Sequence, residues 1–269
     1  MAKQVFLQIL YSLIAAGALA GLAAWRKALT PGGLALAFCL ALVICYCGGL
    51  VGYLALVATF VFTIAAGKIS GRRRERLEKK LHAKTGPRDA VQIVCNVAVG
   101  TLALVAFKLT GYTGFLWAYG GAMAASLADS MASELGVLSK RAPRDILSWK
   151  VVEAGLSGGV TALGFGMSAL GAALVALVYA LPRGGPGFAS FVDVTCAGFF
   201  AAVCDSALGS GVQVKYRCPA CGALTEKPTH CGAPGSPEKG VRWMTNDAVN
   251  LCNNILGALA ALALYALHH

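Results

Sequence analysis

Residues 31–68 read PGGLALAFCLALVICYCGGLVGYLALVATFVFTIAAGK, and no charged side chain interrupts them before Lys68. A helix crossing the ~30 Å hydrocarbon core of a bilayer uses about 20 apolar residues, so this run is nearly twice one crossing. Gly48-Gly49 lies near its middle. Two short helices joined by a tight turn fit better than one overlong helix, with a re-entrant pair as the alternative.

Similar runs recur along the chain. Expected spans are 5–25, 32–46, 48–67, 90–108, 114–137, 156–181, 189–213 and 245–267. Residues 5–25 are too long for a signal-peptide core and are followed by Arg26 and Lys27, so they read as a retained span. The composition agrees: 57% of residues are hydrophobic and 13% charged, against about 25% charged in soluble domains. The expectation is an all-α, polytopic transmembrane bundle of about eight spans, forming a single membrane domain over 1–269.

The 23 Lys and Arg against 12 Asp and Glu give a formal charge of +11. That excess could serve nucleic acid, anionic lipid or phosphorylated ligands. Its placement in short loops, at Arg26 and Lys27, in 68–88, in 140–150 and in 215–242, matches the positive-inside pattern, with anionic lipid or phosphate as the counterpart. No nucleic-acid partner is expected. These loops are therefore cytoplasmic and both termini outside, in a bacterial or archaeal plasma membrane. The opposite loops, around Gly111 and over 182–187, are short and nearly uncharged. Residues 72–80 alternate Arg, Glu and Lys and read as a solvated surface helix.

Ionisable residues inside spans cost at least ~2.5–3.5 kcal/mol each on insertion scales, which marks them as functional candidates. Asp129-Ser130-Met131-Ala132-Ser133-Glu134 places a carboxylate-rich patch near the inner end of one span, and Asp205-Ser206 repeats the Asp-Ser pair 76 residues later. The pair hints at an internal repeat. Arg88, Asp89, Gln92 and Asn96 in one span, and Asn246, Asp247, Asn250, Asn253 and Asn254 in the last, form polar stripes at helical spacing. Amides in such stripes can simply join helices. A buried carboxylate needs a cation or a strong donor, and a divalent metal carrying phosphates would supply one. The segment Gly155-Leu156-Ser157-Gly158-Gly159-Val160-Thr161 could cradle phosphate with backbone N–H groups or allow close helix packing; both readings stand.

Of ten cysteines, seven fall in apolar stretches and read as packing residues. Cys218-x-x-Cys221 with His230 and Cys231, inside the loop 214–244, is half of a zinc-ribbon pattern. Zinc ligation and reduced free thiols are both open.

In this order, Arg88-Asp89-Ala90-Val91-Gln92 to Asn96, Ala128 to Gly136, Ser157-Gly158-Gly159-Val160-Thr161, Asp205 to Gly209, His230-Cys231-Gly232 and Asn246 to Asn250 resemble the integral membrane family labelled domain of unknown function 92. That family includes a phytyl-phosphate kinase and is similar to CTP-dependent isoprenoid kinases. The resemblance implies transfer of a nucleotide γ-phosphoryl group, from CTP, to an isoprenoid monophosphate, and the buried carboxylates add Mg²⁺ or Mn²⁺ as the expected cofactor. The chain departs from the family pattern at Glu153-Ala154-Gly155, where Pro-Pro-Gly is usual, and at Asp129-Ser130, where Asp-Thr is usual.

On this reading Asp129, Glu134 and Asp205 are catalytic, with Asp129 and Asp205 as metal ligands. Lys140, Arg144, Lys150, Ser157, Gly158 and Gly159 hold phosphates and nucleotide. Arg88, Gln92, Asn96, Asn246, Asp247 and Asn250 orient substrate. The alternatives are a transporter or flippase for a lipid phosphate or small anion, and a membrane scaffold.

Overall fold

The computed structural model describes residues 2–81, 86–180 and 187–268, without the side chains of 2, 72–81 and 187–188. Its helices are α1 (Ala2–Trp25), α2 (Pro31–Leu81), α3 (Ala90–Thr110), α4 (Gly114–Gly136), α5 (Ala162–Ala180), α6 (Gly187–Gly211) and α7 (Asn246–His268). The chain is a helical membrane bundle. The surface helix expected over 72–80 is the end of α2, and its side-chain pattern lies outside the described residues, as does the expected outer loop 182–187 apart from Gly187.

The span count is lower than the eight expected: among the described residues, six helices are long and apolar enough to cross a membrane. Two features explain the difference. The expected spans 32–46 and 48–67 belong to one element, a 41-residue apolar stretch from Pro31 to Gly71. It is broken at Gly49, whose φ of 58° and ψ of −149° suit a residue without Cβ. The limbs fold back there, since a Cβ on Gly52 would stand 3.4 Å from the Ile44 carbonyl oxygen, whereas a straight helix separates such residues by about 12 Å. The second feature is α4, which falls outside the six.

Helix α4 can be less apolar because protein surrounds it. It packs on α2, α3, α5, α6 and α7, and residues 117–128 are buried without exception. Gly120, Gly121, Ala122, Ala124, Ala125 and Ala128 keep that surface thin, so that neighbouring backbones approach closely. The tightest approach is to α7, where a Cβ on Gly121 would stand 2.2 Å from the Gly257 carbonyl oxygen. Large apolar side chains such as Phe6, Ile14, Leu54, Leu102 and Leu259 instead face outward, as lipid-exposed residues do.

The basic loops gather at one end. Thr30 N–H donates to the Arg88 carbonyl at 3.0 Å, Ser70 Oγ to Glu134 Oε2 at 3.0 Å, and Ser210 Oγ to Asp145 Oδ2 at 2.5 Å. At the other end Thr113 and Tyr265 share a hydrogen bond, Trp117 Nε1 donates to Asp193 Oδ2 at 3.3 Å, and His268 Nδ1 lies 3.1 Å from the same oxygen.

Between α4 and α5, β1 (Arg144–Asp145) pairs antiparallel with β2 (Gly159–Val160). Helix α5 therefore starts at Ala162 rather than near 156 as expected. Gly155 and Gly158 have positive φ, and Thr161 Oγ1 accepts the Gly164 N–H at 3.0 Å. Between α6 and α7, the loop forms a small β module. Strand β3 (Lys215–Arg217) lies between β4 (Leu224–Thr225) and β7 (Ser236–Lys239), beside a hairpin of β5 (Thr229–His230) and β6 (Ala233–Pro234).

Candidate functional site: a polar cavity at one end of the bundle

At the end of the bundle where the basic loops gather, α2 to α7 and the 139–161 and 226–228 segments line a cavity of about 1030 Å³. Its size lies at the top of the ~300–1,000 Å³ range of small-molecule sites, which leaves room for more than one ligand. Asp129, Glu134 and Asp205 line it together, joining the two Asp-Ser motifs that are distant in sequence.

Each carboxylate has a different setting. Glu134 is fastened to α2 by the Ser70 hydroxyl. Asp205 Oδ2 is buried with no hydrogen-bond partner among the described residues, and Asp129 and Glu226 are near enough to act on it electrostatically. A carboxylate oxygen so placed calls for a cation.

Arg88, just before α3, and Gln92 and Asn96 on it reach the cavity, as do Asn246, Asp247 and Asn250 from α7. Gln92 is also a structural residue. With Asp89 it closes a capping box, Gln92 N–H donating to Asp89 Oδ1 at 3.0 Å and Asp89 N–H to Gln92 Oε1 at 3.1 Å. Asn96 donates to the Gln92 carbonyl at 2.8 Å and accepts from Ser126 Oγ at 3.1 Å, so its amide joins α3 to α4. Deeper on α7, Asn253 Nδ2 donates to the Ala125 carbonyl, the helix-joining role that amides often take.

The expected phosphate clamps divide. Lys140 lines the cavity, accompanied by Arg141 and Lys227, which sequence reasoning missed. Arg144 and Lys150 do not line it: both are exposed, and Arg144 Nη1 donates to the Trp149 carbonyl at 2.8 Å. The β1–β2 hairpin presents Val152 and residues 154–160 to the cavity and leaves Arg144 and Lys150 on its exposed side.

The glycine loop also differs from a cradle of open amides. Ser157 N–H donates to Glu226 Oε1 at 2.8 Å, and Gly159 N–H to the Leu156 carbonyl at 3.1 Å. Lys215 Nζ donates to the Ser157 carbonyl at 2.8 Å. Gly158, at φ 86°, is there for proximity, because a Cβ would meet the Ser210 backbone at 2.5 Å. Ser157, Gly158 and Gly159 thus form part of the wall while packing the loop on α6.

The wall is held by Asp145, a buried residue that the sequence reading passed over. Its carboxylate accepts from Ser210 Oγ, Ser148 Oγ and the Ser148 and Leu147 N–H groups. Burial alone would raise its pKa, but these bonds, led by Ser210, bring it down to about 2. Burial pushes the Lys215 ammonium the other way, below its usual value, with Glu226 partly opposing.

In the β module, Cys218, Cys221, His230 and Cys231 bring their ligand atoms within 4.8 Å of one another. Adjacent His230 and Cys231 both reach this point because Cys231 takes a left-handed conformation, φ 52°. Glu226, between the two halves of the motif, was legible only as one of two glutamates in a Cys/His loop.

A second, apolar pocket of about 70 Å³ lies among α1, α2, α3 and α4. Leu19, Leu56, Phe60 and Met123 contribute to it, and Arg88, Gln92 and Asn96 belong to both cavities.

A helical bundle with an apolar exterior and a polar, carboxylate-lined cavity at one end is that of an integral membrane protein with a candidate site at that end. The chain belongs to the integral membrane protein DUF92 family, which it matches over residues 14–258. It is 30% identical to an uncharacterized membrane protein of Methanocaldococcus jannaschii over 71% of this chain and 69% of that one. It is 28% identical to the Arabidopsis thaliana protein PGR over 78% of this chain and 84% of PGR. An uncharacterized membrane protein of Synechocystis is 27% identical over 90% and 84% of the two chains. No solved structure matches the chain.

Proposed function

We propose that this protein is a kinase that transfers the γ-phosphoryl group of a nucleotide, CTP by its resemblance to isoprenoid kinases, to an isoprenoid monophosphate within the membrane. The observation that carries the reading is the meeting of a polar, carboxylate-lined cavity with an apolar pocket at Arg88, Gln92 and Asn96. A lipid phosphate has the same two parts. On this reading the phosphate meets Arg88 and the first carbons of the hydrocarbon enter the small pocket among α1, α2, α3 and α4, the rest of the chain lying in lipid.

Phosphoryl transfer asks a protein mainly to position groups and stabilise charge. Lys140, Arg141 and Lys227 stand where they would hold nucleotide phosphates. A lone pair on the lipid phosphate oxygen forms the new bond to the γ-phosphorus, while the bond to the β,γ-bridging oxygen breaks and leaves with the nucleoside diphosphate. Asp129 and Asp205, whose Oδ2 has no hydrogen-bond partner among the described residues, suit a divalent cation. Mg²⁺ or Mn²⁺ bound there would neutralise the phosphate oxygens. Asn246, Asp247 and Asn250 border the same space and orient the bound groups.

Purified protein incubated with γ-labelled CTP or ATP and farnesyl, phytyl or undecaprenyl phosphate tests the reading. Label in a lipid diphosphate is the expected result. Movement of the lipid phosphate across a vesicle membrane without label transfer would replace the kinase with a transporter. The orientation that accompanies this reading has the cavity and basic loops facing the cytoplasm and both termini outside, in a bacterial or archaeal plasma membrane. Accessibility of terminal tags in intact cells tests it.

A further inference from the structure

We propose that Cys218, Cys221, His230 and Cys231 hold a structural Zn²⁺, and that this ion fixes Glu226 against the Ser157 peptide in the cavity wall. The first half rests on the ligand set. Three thiols and one imidazole lie within 4.8 Å of one another, and His230 Nδ1 is 3.4 Å from Cys221 Sγ and 3.2 Å from Cys231 Sγ. Such spacings fit ligands standing ~2.0–2.3 Å from one tetrahedral ion.

Both halves of the motif sit on tight turns. Gly222 N–H donates to the Cys218 carbonyl at 2.9 Å and Cys218 N–H to the Ala223 carbonyl at 3.0 Å, with Gly222 at φ 71°. The other turn carries Cys231 at φ 52° and Gly232 at φ 75°. A left-handed non-glycine residue costs roughly 1–2 kcal/mol, so the turn needs a compensating bond. Strands of two to four residues cannot supply it through a hydrophobic core. Four protein ligands also leave no open position, which is the pattern of a structural rather than a catalytic zinc.

The second half rests on what the module carries. Glu226 lies between the two ligand pairs in sequence and accepts the Ser157 N–H at 2.8 Å, while Lys215 on β3 donates to the Ser157 carbonyl at 2.8 Å. Both backbone polar groups of Ser157, in the two peptide units that flank its Cα, are therefore held by the module. Order in the module becomes order in the wall.

The experiment uses full-length protein purified in detergent without chelator. Zinc is measured by mass spectrometry, and backbone hydrogen exchange is followed before and after stripping. The expected results are about one zinc per chain, its loss in Cys221→Ser, and about tenfold faster exchange at Ser157 after stripping, reversed by added Zn²⁺. Should Cys221→Ser fail to fold, stripping and reloading the parent protein gives the same reading. Protein that neither contains nor takes up Zn²⁺ overturns the site, and zinc removal without faster exchange at Ser157 overturns the positioning role. Both readouts are independent of phosphoryl transfer, so either proposal can fail while the other stands.

Discussion

Ser210 Oγ on α6 donates to Asp145 Oδ2 at 2.5 Å, joining residues 65 positions apart and fixing the 144–160 hairpin against the helix that carries Asp205. Removing the hydroxyl in Ser210→Ala leaves a buried carboxylate oxygen short of a donor. Hydrogen bonds to charged groups contribute ~1.5–3 kcal/mol, and the expected loss of stability lies in that range. Unfolding in graded denaturant measures it, and a loss below about 0.5 kcal/mol would remove this contact from the account.

The same carboxylate predicts a pH dependence. Hydrogen bonding holds Asp145 at about 2 in the folded protein, against ~3.9 when unfolded. A lowered folded value contributes stability that is fully present above the unfolded value and is lost as pH falls through about 2. Asp145→Asn should therefore be less stable than the parent at neutral pH, with the gap closing between about pH 4 and pH 2. A gap independent of pH would show that the ionised form is not what matters.

Asp129→Asn and Asp205→Asn should each abolish transfer while leaving a folded, membrane-inserted protein. Asn keeps shape and hydrogen bonding but loses the charge needed to hold a divalent cation against phosphates. Because Asp205 Oδ2 has no hydrogen-bond partner among the described residues, its neutralisation breaks no such bond at that atom. Variants inactive at all Mg²⁺ and Mn²⁺ concentrations but melting with the parent fit the assignment; full activity at both positions refutes it.

The basic residues give a contrast between neighbours. Lys140→Glu, at the cavity, should weaken CTP binding by at least about tenfold, or ~1.4 kcal/mol. Lys150→Glu and Arg144→Glu, exposed and outside the cavity, should change it little. Equilibrium binding of labelled nucleotide in low salt decides, and equal effects from all three would mean that only overall charge is being sensed.

Gly121→Ala tests the centre of the bundle. The added Cβ would stand 2.2 Å from the Gly257 carbonyl oxygen and 2.6 Å from Ala261 Cβ. Backbone on the opposing helix cannot rotate aside, so α4 and α7 must separate. A cost of about 1–3 kcal/mol or more is expected, whereas Gly17→Ala, in open space on α1, should be nearly silent. Thermal aggregation of the two variants in one detergent gives the comparison.

The sequence by itself determined that this chain lives in a membrane, because hydrocarbon allows long uncharged runs such as 31–67 and confines most charges to the turns between helices. It also exposed Asp129, Asp205, Asp247 and the Cys/His cluster, since ionisable groups stand out against apolar surroundings. Tertiary structure alone decided which of the remaining polar residues share a space. Arg144 and Lys150 looked equivalent to Lys140 until the fold left both exposed and outside the cavity lining. Glu226 showed no role until the module brought it 69 residues back to Ser157. That the expected span 114–137 is the central helix α4, surrounded by other helices rather than lipid, was visible only in the fold. The reason is one of range: transfer to hydrocarbon acts on each residue through its own side chain and is written locally, while hydrogen bonds and close packing depend on partners that only the folded chain brings together.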